Sequence, residues 1–351
     1  MIRVLVVDDS KVMQDYIKFI LSSDPEIKIV GVANDGEEAL AAVLNLKPNI
    51  ITMDIHMPKM DGLEASRRIM ETQPTPIVIV TNSLSIYESA YAFHVLEAGA
   101  LTMVPRPPGP DDPNAESLYR ELITTVKLMS QVKVITRSKI KEPRQLAGID
   151  STPSQGVFKL IAIAGSTGAP IVLRDIMMVL PRSLPVPIII VQHIATGFIE
   201  GMAKWLNQAT GFTTRVAFHG ESLQPGVAYL APDRFNMGVD NSARVVLTDS
   251  DYEHGARPSA SYLFRSVAQV FGKNAIGVML SGMGKDGTVE LKNLRDCGAM
   301  TIAQDENSSV VWGMPGEAVR IGGACKVLPS SQIAPALISL LCFDSPEGEP
   351  K

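Results

Sequence analysis

Short, wholly apolar runs alternate along this chain with longer stretches in which apolar residues recur every three or four positions. In the first 130 residues the apolar runs fall at Ile2–Val7, Ile27–Val32, Ile50–Met53, Ile77–Val80 and Leu101–Val104. Between the first two, Val12, Tyr16, Ile17, Ile20 and Leu21 keep the spacing of one helix face. A wholly apolar strand is buried on both sides, and strand–helix alternation sets parallel strands between two layers of helices. Five such units predict a flavodoxin-like (βα)5 domain, which binds ligands at the carboxyl ends of its strands.

A second alternating series predicts strands at Leu160–Ala164, Ile188–Val191, Ala275–Leu280 and Met300–Ala303. Helices are expected at Ile171–Leu180, Gly201–Gln208, Pro258–Phe271 and Gly287–Cys297. The stretch Arg215–Asp249 holds short β-like pieces, Val227–Leu230 and Arg244–Leu247, separated by turn residues. The second domain is therefore expected to be a doubly wound α/β domain with a mainly parallel sheet and a small antiparallel β portion, the latter from Arg215–Asp249. From Val132 to Gly156 the chain turns basic, then rich in Pro, Ser and Gly, with no amphipathic period. The expected division is a first domain over 1–125, a linker over 126–156 and a second domain over 157–345. Pro346–Lys351 is expected to be a disordered tail.

Composition narrows the function classes. A length of 351 residues with 46% hydrophobic side chains suits two cores. The 32 basic and 37 acidic residues leave a net charge of −5, so there is no electrostatic reason to seek nucleic acid or anionic lipid. Residues 157–345 show no helix-turn-helix pattern or basic face, which argues against a transcriptional regulator. No apolar run reaches about 18 residues, so the chain is expected not to be membrane-embedded. Met1–Val7 runs straight into a strand rather than reading as a signal peptide. Cys297, Cys325 and Cys342 lack metal-ligand spacing; they predict buried, unpaired thiols in a reducing cytoplasm.

Asp8 and Asp9 directly follow the first strand and Asp54 the third, so a parallel sheet brings them to one edge. Three converging carboxylates repel unless a cation is present, and Mg2+ suits them as a hard ion taking oxygen ligands. Thr81 ends the fourth strand and can hydrogen-bond a phosphoryl oxygen; Arg106 follows the fifth and can pair with one. Alone, Asp8-Asp9 reads equally well as a helix cap with surface acids. That reading weakens once Asp54, Thr81 and Arg106 stand at three further strand ends. The stretches Val6–Ser10 and Asp54–Gly62 resemble the two signatures of response-regulator receiver domains. The resemblance implies phosphorylation of Asp54 by a histidine kinase, with Mg2+ held by Asp9, Asp54 and the backbone carbonyl of His56, and Asp8 helping. Receivers usually carry Lys-Pro after strand five; here Arg106-Pro107 keeps the charge but presents a planar fork.

In the second domain, Ser166 stands on a turn between a strand and a helix, flanked by Gly165, Thr167 and Gly168. A helix start supplies free N–H groups and a positive dipole end, as an oxyanion requires. Serine needs a base. His193 ends the next strand, and Asp286 lies in a glycine-rich loop after the strand Ala275–Leu280. Parallel strands would bring all three to one edge as nucleophile, base and orienting carboxylate. Separately, Ser166 is as readily a helix cap or phosphate loop, His193 an ordinary strand-end residue and Asp286 a turn residue. No Gly-Lys-Ser/Thr follows Ser166, which argues against a nucleotide loop. His219 and His254 are competing bases without a strand-end position.

Gly165–Gly168, Gln192-His193, Arg257–Ser259, Ser281–Gly287 and Gln304–Pro315 resemble the catalytic domain of chemotaxis-type protein-glutamate methylesterases, the CheB family. With the receiver, the resemblance covers residues 1 to 340. It implies demethylation of γ-glutamyl methyl esters, and deamidation of glutamines, on methyl-accepting chemoreceptors. It places the oxyanion against the backbone N–H groups of Thr167 and Met283, and calls for no cofactor in the esterase step. It also implies a receiver that covers the cleft until Asp54 is phosphorylated. Where the family has Gly-Gly-Pro, this chain has Gly168-Ala169-Pro170, and the helix start is expected to shift slightly. The alternative is a catalytically weak receiver-linked binding module or phosphate sink.

Overall fold

Residues 1–81, 86–132, 134 and 158–342 are described by the structure, a computed structural model. Most of the expected linker and the expected tail lie outside the described residues. Contacts divide the chain into two units, Met1–Ile140 and Lys141–Lys351.

The first unit runs β1 (Ile2–Val7), α1 (Lys11–Ser22), β2 (Ile27–Ala33), α2 (Gly36–Leu46), β3 (Ile50–Met53), α3 (Gly62–Thr72), β4 (Ile77–Thr81), α4 (Ile86–Glu97), β5 (Thr102–Pro105) and α5 (Ala115–Met129). Its sheet has the order β2-β1-β3-β4-β5 and all pairs are parallel. Every residue of β3 and β4 is buried, which is why these strands read as unbroken apolar runs. Polar residues start the helices: Ser10, Asp35 and Asp61 each accept a backbone N–H at the first turn of α1, α2 and α3. Helix α5 continues past 125 into the stretch expected as linker, because Leu122, Val126 and Met129 extend one buried stripe.

The second unit runs β6 (Leu160–Gly165), α6 (Ala169–Val179), β7 (Ile188–Gln192), α7 (Ile199–Thr210), β8 (Thr213–Val216), β9 (Val227–Leu230), β10 (Asn236–Val239), β11 (Val245–Thr248), α8 (Ala260–Val270), β12 (Ala275–Met279), α9 (Thr288–Asp296), β13 (Met300–Gln304), α10 (Met314–Arg320), β14 (Lys326–Leu328) and α11 (Ser330–Cys342). Seven strands form a parallel sheet in the order β14-β13-β12-β6-β7-β9-β8. Trp205, Tyr229, Phe198, Phe212 and Phe264 are fully buried in this unit. Each is the size of side chain whose burial contributes about 1.5–3 kcal/mol.

Two expectations need correction. Val227–Leu230 does not belong to the antiparallel portion: as β9 it pairs parallel with both β7 and β8. The antiparallel strand pair among the described residues is β10–β11, extended by a single antiparallel bridge between Ser222 and Arg244. Short strands carry the same apolar pattern in either direction, so pairing is decided by the sheet and not by the segment. Cys297 and Cys325 are exposed, not buried. Cys297 is the C-cap of α9 and Cys325 immediately precedes the edge strand β14, positions at element ends rather than inside a buried stripe.

Candidate active site

In the first unit the order of strands reverses between β1 and β3, and ligands bind where such a reversal opens a crevice. Asp8 and Asp9 follow β1 and Asp54 follows β3 at that point, each offering a carboxylate oxygen within 4.8 Å of the others. Gly62 packs its Cα directly behind this site; a Cβ there would stand 2.2 Å from the carbonyl oxygen of Asp54. Arg106 Nη2 reaches Asp54 Oδ1 at 3.1 Å and Asp8 Oδ2 at 3.2 Å. Thr81 joins the same edge, its carbonyl accepting the Arg106 N–H at 3.0 Å. Burial pushes the Asp54 carboxyl up to about 6; Arg106 opposes this and the charge of Asp8 adds to it. Burial also raises Asp8, against the Ser10 N–H and Arg106. Asp8, Asp9, Asp54 and Arg106 therefore meet at this pocket, and Thr81 reaches its edge through the backbone.

In the second unit β12, β6 and β7 are consecutive in the sheet, and the chain crosses from one side of β6 to the other between β7 and β12. Ser166 follows β6, His193 follows β7 and Asp286 lies in the loop after β12, so the reversal point carries all three. Gly165 and Gln192 are register partners, which makes Ser166 and His193 the next residues on neighbouring strands. The His193 N–H donates to the Gly165 carbonyl at 2.9 Å.

The turn that carries Ser166 is tight because Gly168 takes a φ of +83°, a left-handed angle that glycine adopts without penalty. Helix α6 then starts at Ala169, two residues before the expected Ile171. Ala169 has no left-handed angle and is wholly buried, so alanine costs nothing there.

His193 Nε2 lies 2.9 Å from Asp286 Oδ2. A carboxylate only accepts, so Nε2 carries the proton and Nδ1 is the basic nitrogen. The described ring partner of His193 is Asp286; Ser166 Oγ is adjacent through the strand register and not through a hydrogen bond. Such contacts are often long without substrate.

Asp286 is 3% exposed and held at the start of α8. Its Oδ1 accepts the Ser259 hydroxyl at 2.9 Å and the Ser261 N–H at 3.0 Å, and its Oδ2 accepts the Ala260 N–H at 2.7 Å. Burial alone would raise this carboxyl. The hydrogen bond and charge of His193, with the helix-start donors, outweigh burial and hold it at about 2. Ser259, Ala260 and Ser261 were not among the expected site residues. Their only local signal is a serine pair opening a helix, which capping alone explains.

Thr167 and Met283 present backbone N–H groups with no protein acceptor among the described residues. Of the competing bases, His219 Nδ1 accepts the Leu247 N–H at 3.1 Å, and His254 sits in a turn with φ of +50°. Beside the Asp286 loop lies a cleft of about 760 Å3 lined by Gly284, Lys285, Trp312, Glu317 and Arg320, among others.

A receiver-type acidic pocket in one unit and a hydrolase-type serine turn with a carboxylate–imidazole pair in the other define a receiver-linked α/β enzyme. Residues 4–115 match the response regulator receiver domain family and residues 161–337 match the CheB methylesterase family. Over 345 residues the chain is 47% identical to a protein-glutamate methylesterase/protein-glutamine glutaminase of Nitrosospira multiformis, covering 97% of both chains. It is 48% identical, again over 345 residues, to a protein of the same name (number 4) from Geobacter metallireducens, covering 97% of this chain and 99% of the other. The crystal structure of the Thermotoga maritima CheB methylesterase catalytic domain superposes with a TM-score of 0.51 at 35% identity, covering 52% of this chain and 98% of that one. The chain belongs to the CheB methylesterase family, in its form with an N-terminal receiver domain. No helix among the described residues is long and apolar enough to cross a membrane.

Proposed function

We propose that the second unit hydrolyses γ-glutamyl methyl esters, and deamidates glutamines, on chemoreceptors, with Ser166 as nucleophile, His193 as base and Asp286 as orienting carboxylate. The observation that carries this reading is the 2.9 Å contact of His193 with an Asp286 held ionised, one register step from Ser166. The names of the relatives supply the substrate chemistry.

Ser166 Oγ attacks the ester carbonyl while His193 Nδ1 takes its proton. The tetrahedral oxyanion accepts the Thr167 and Met283 N–H groups. His193 then protonates the departing methanol, and an acyl-serine remains. Water attacks it, again giving a proton to His193, and the free carboxylate leaves as Ser166 recovers its proton. A glutamine follows the same path with ammonia as leaving group. Asp286 stays ionised throughout and stabilises the imidazolium. The restored carboxylate places negative charge on a receptor helix, where like charges repel and bias a signalling equilibrium.

We further propose that the receiver is phosphorylated on Asp54 by a histidine kinase and that this relieves a block on the hydrolase. Asp8, Asp9 and Asp54 form an all-oxygen donor set that fits Mg2+. The ion, when bound, offsets the charge of the carboxylates and of an incoming phosphoryl group. Arg106, which stands against Asp8 and Asp54, would pair with that group's oxygens, and the Thr81 hydroxyl would donate to one of them.

The test is methanol release from methylated receptors. Ser166→Ala should abolish it and leave Asp54 phosphorylation intact; persistent release removes Ser166 as nucleophile. Adding a small phosphodonor should raise the rate in the native chain and not in Asp54→Asn. An equal rate in both would leave the hydrolase standing without phosphate control.

A further inference from the structure

In a trans peptide the carbonyl of one residue and the N–H of the next point in opposite directions. A group that pins the carbonyl of Ser166 therefore aims the N–H of Thr167. Two donors do this, the Ala169 N–H at 3.1 Å and the side-chain amide of Gln192, and the amide also reaches across to the next strand. Gln192 Nε2 donates to the Ser166 carbonyl at 2.8 Å and to the His193 carbonyl at 3.0 Å. Gln192 is 2% exposed, and its Oε1 is buried without a partner. An unpartnered buried carbonyl is costly, and the fold keeps it. Turning the amide over would not relieve it, since the oxygen would then face two carbonyls.

The peptides on either side are pinned as well. The Ser166 N–H donates to the Ser281 carbonyl at 2.9 Å, and the Ser281 hydroxyl donates to the Thr167 carbonyl at 2.7 Å. Of the backbone polar groups of Ser166 and Thr167, the Thr167 N–H is the one left without a partner among the described residues. The Met283 N–H is aimed by the same device: the Gly282 carbonyl before it accepts the N–H groups of Gly313 at 3.1 Å and Met314 at 2.8 Å.

We propose that Gln192 is a positioning residue that aims the Thr167 N–H at the oxyanion and, through the same nitrogen, holds the backbones of Ser166 and His193 together. This rests on the reading of Ser166 as nucleophile. Gln192 touches no reacting atom. It acts by fixing a donor before the reaction, so its effect falls on the transition state and not on the bound ester.

The experiment compares the native chain with Gln192→Met, which keeps the volume and removes both donors, and Gln192→Glu, which replaces the donor group with an acceptor. Two quantities are measured: kcat and KM for methanol release, and the inhibition constant of an alkyl boronic acid. The boronic acid accepts the Ser166 oxygen at boron, its proton passing to His193, and the tetrahedral boronate then presents an oxygen to the N–H donors. In both variants kcat should fall about tenfold or more, short of the roughly 100-fold loss from deleting an oxyanion donor outright, because the Ala169 N–H still holds the Ser166 carbonyl. Boronate inhibition should weaken by a similar factor, with KM within about threefold of native. A general packing defect would not shift boronate affinity and kcat together at constant KM.

Either variant keeping native kcat and boronate affinity overturns the proposal. Should both variants fail to fold, the native chain still decides by amide exchange: both Gln192 side-chain protons should exchange slowly with solvent, and fast exchange overturns the clamp. Ser166→Ala separates the two readings. If it keeps activity, the nucleophile is wrong; if it is dead while Gln192→Met is unaffected, only the role of Gln192 fails.

Discussion

Arg106 Nη2 stands 3.1 Å from Asp54 Oδ1, so the proposed phosphoacceptor of this receiver already has a cation against it. The same nitrogen lies 3.2 Å from Asp8 Oδ2. The guanidinium thus spans two of the three carboxylates suited to a divalent ion. Both carboxylates are buried while the guanidinium is partly exposed, so the arginine offsets part of the cost of burying them. In Arg106→Lys a compact ammonium replaces the planar fork and cannot bridge both carboxylates equally well. The Mg2+ midpoint for phosphorylation of Asp54 by a small phosphodonor should drop several-fold in this variant. An unchanged midpoint would show that the guanidinium and the ion do not compete.

Replacing Asp286 with Asn removes the carboxylate charge held against His193 and puts an amide where four donors converge. The imidazole then loses both its fixed tautomer and the stabilisation of its protonated form. We expect kcat for methanol release to fall about 10⁴-fold with little change in KM. A loss below tenfold would argue that Asp286 does not act on His193.

Ser259 donates to Asp286 and also accepts the Tyr262 N–H as the cap of α8. Ser259→Ala should therefore cost about 1 kcal/mol of stability, read from a denaturant midpoint. It should also lower kcat by roughly tenfold, less than the change at Asp286, because the Ala260 and Ser261 N–H groups still hold the carboxylate.

The low value of Asp286, about 2 against 3.8, sets a direction for acid stability. The unfolded chain binds a proton at this residue near pH 4, the folded chain only near pH 2. The stabilisation is present above pH 4 and is lost as the pH falls through about 2. It is on the order of 2 kcal/mol. Denaturant midpoints of native chain and Asp286→Asn, taken at pH 5 and pH 2.5, should converge on acidification. A constant gap would remove Asp286 from the acid transition.

The local pattern of residues determined much of this protein by itself. Unbroken runs such as Ile188–Val191 are strands because only a sheet buried on both faces accommodates them. Strand ends then placed Asp8, Asp9, Asp54, Thr81 and Arg106 on one edge, and Ser166, His193 and Asp286 on another, since parallel strands share a carboxyl edge. Tertiary structure decided what the pattern could not encode. Val227–Leu230 joined the parallel sheet because its neighbours β7 and β8 offered a parallel edge. Asp286 found the start of α8, about 26 residues earlier in the chain, because packing of α8 against α9 brings them together. Gln192 looked like a strand's last polar residue, and only the path of the neighbouring turn put two carbonyls within reach of its amide. Periodicity is set by the one or two faces a segment buries, whereas a hydrogen-bond partner is set by how distant segments pack.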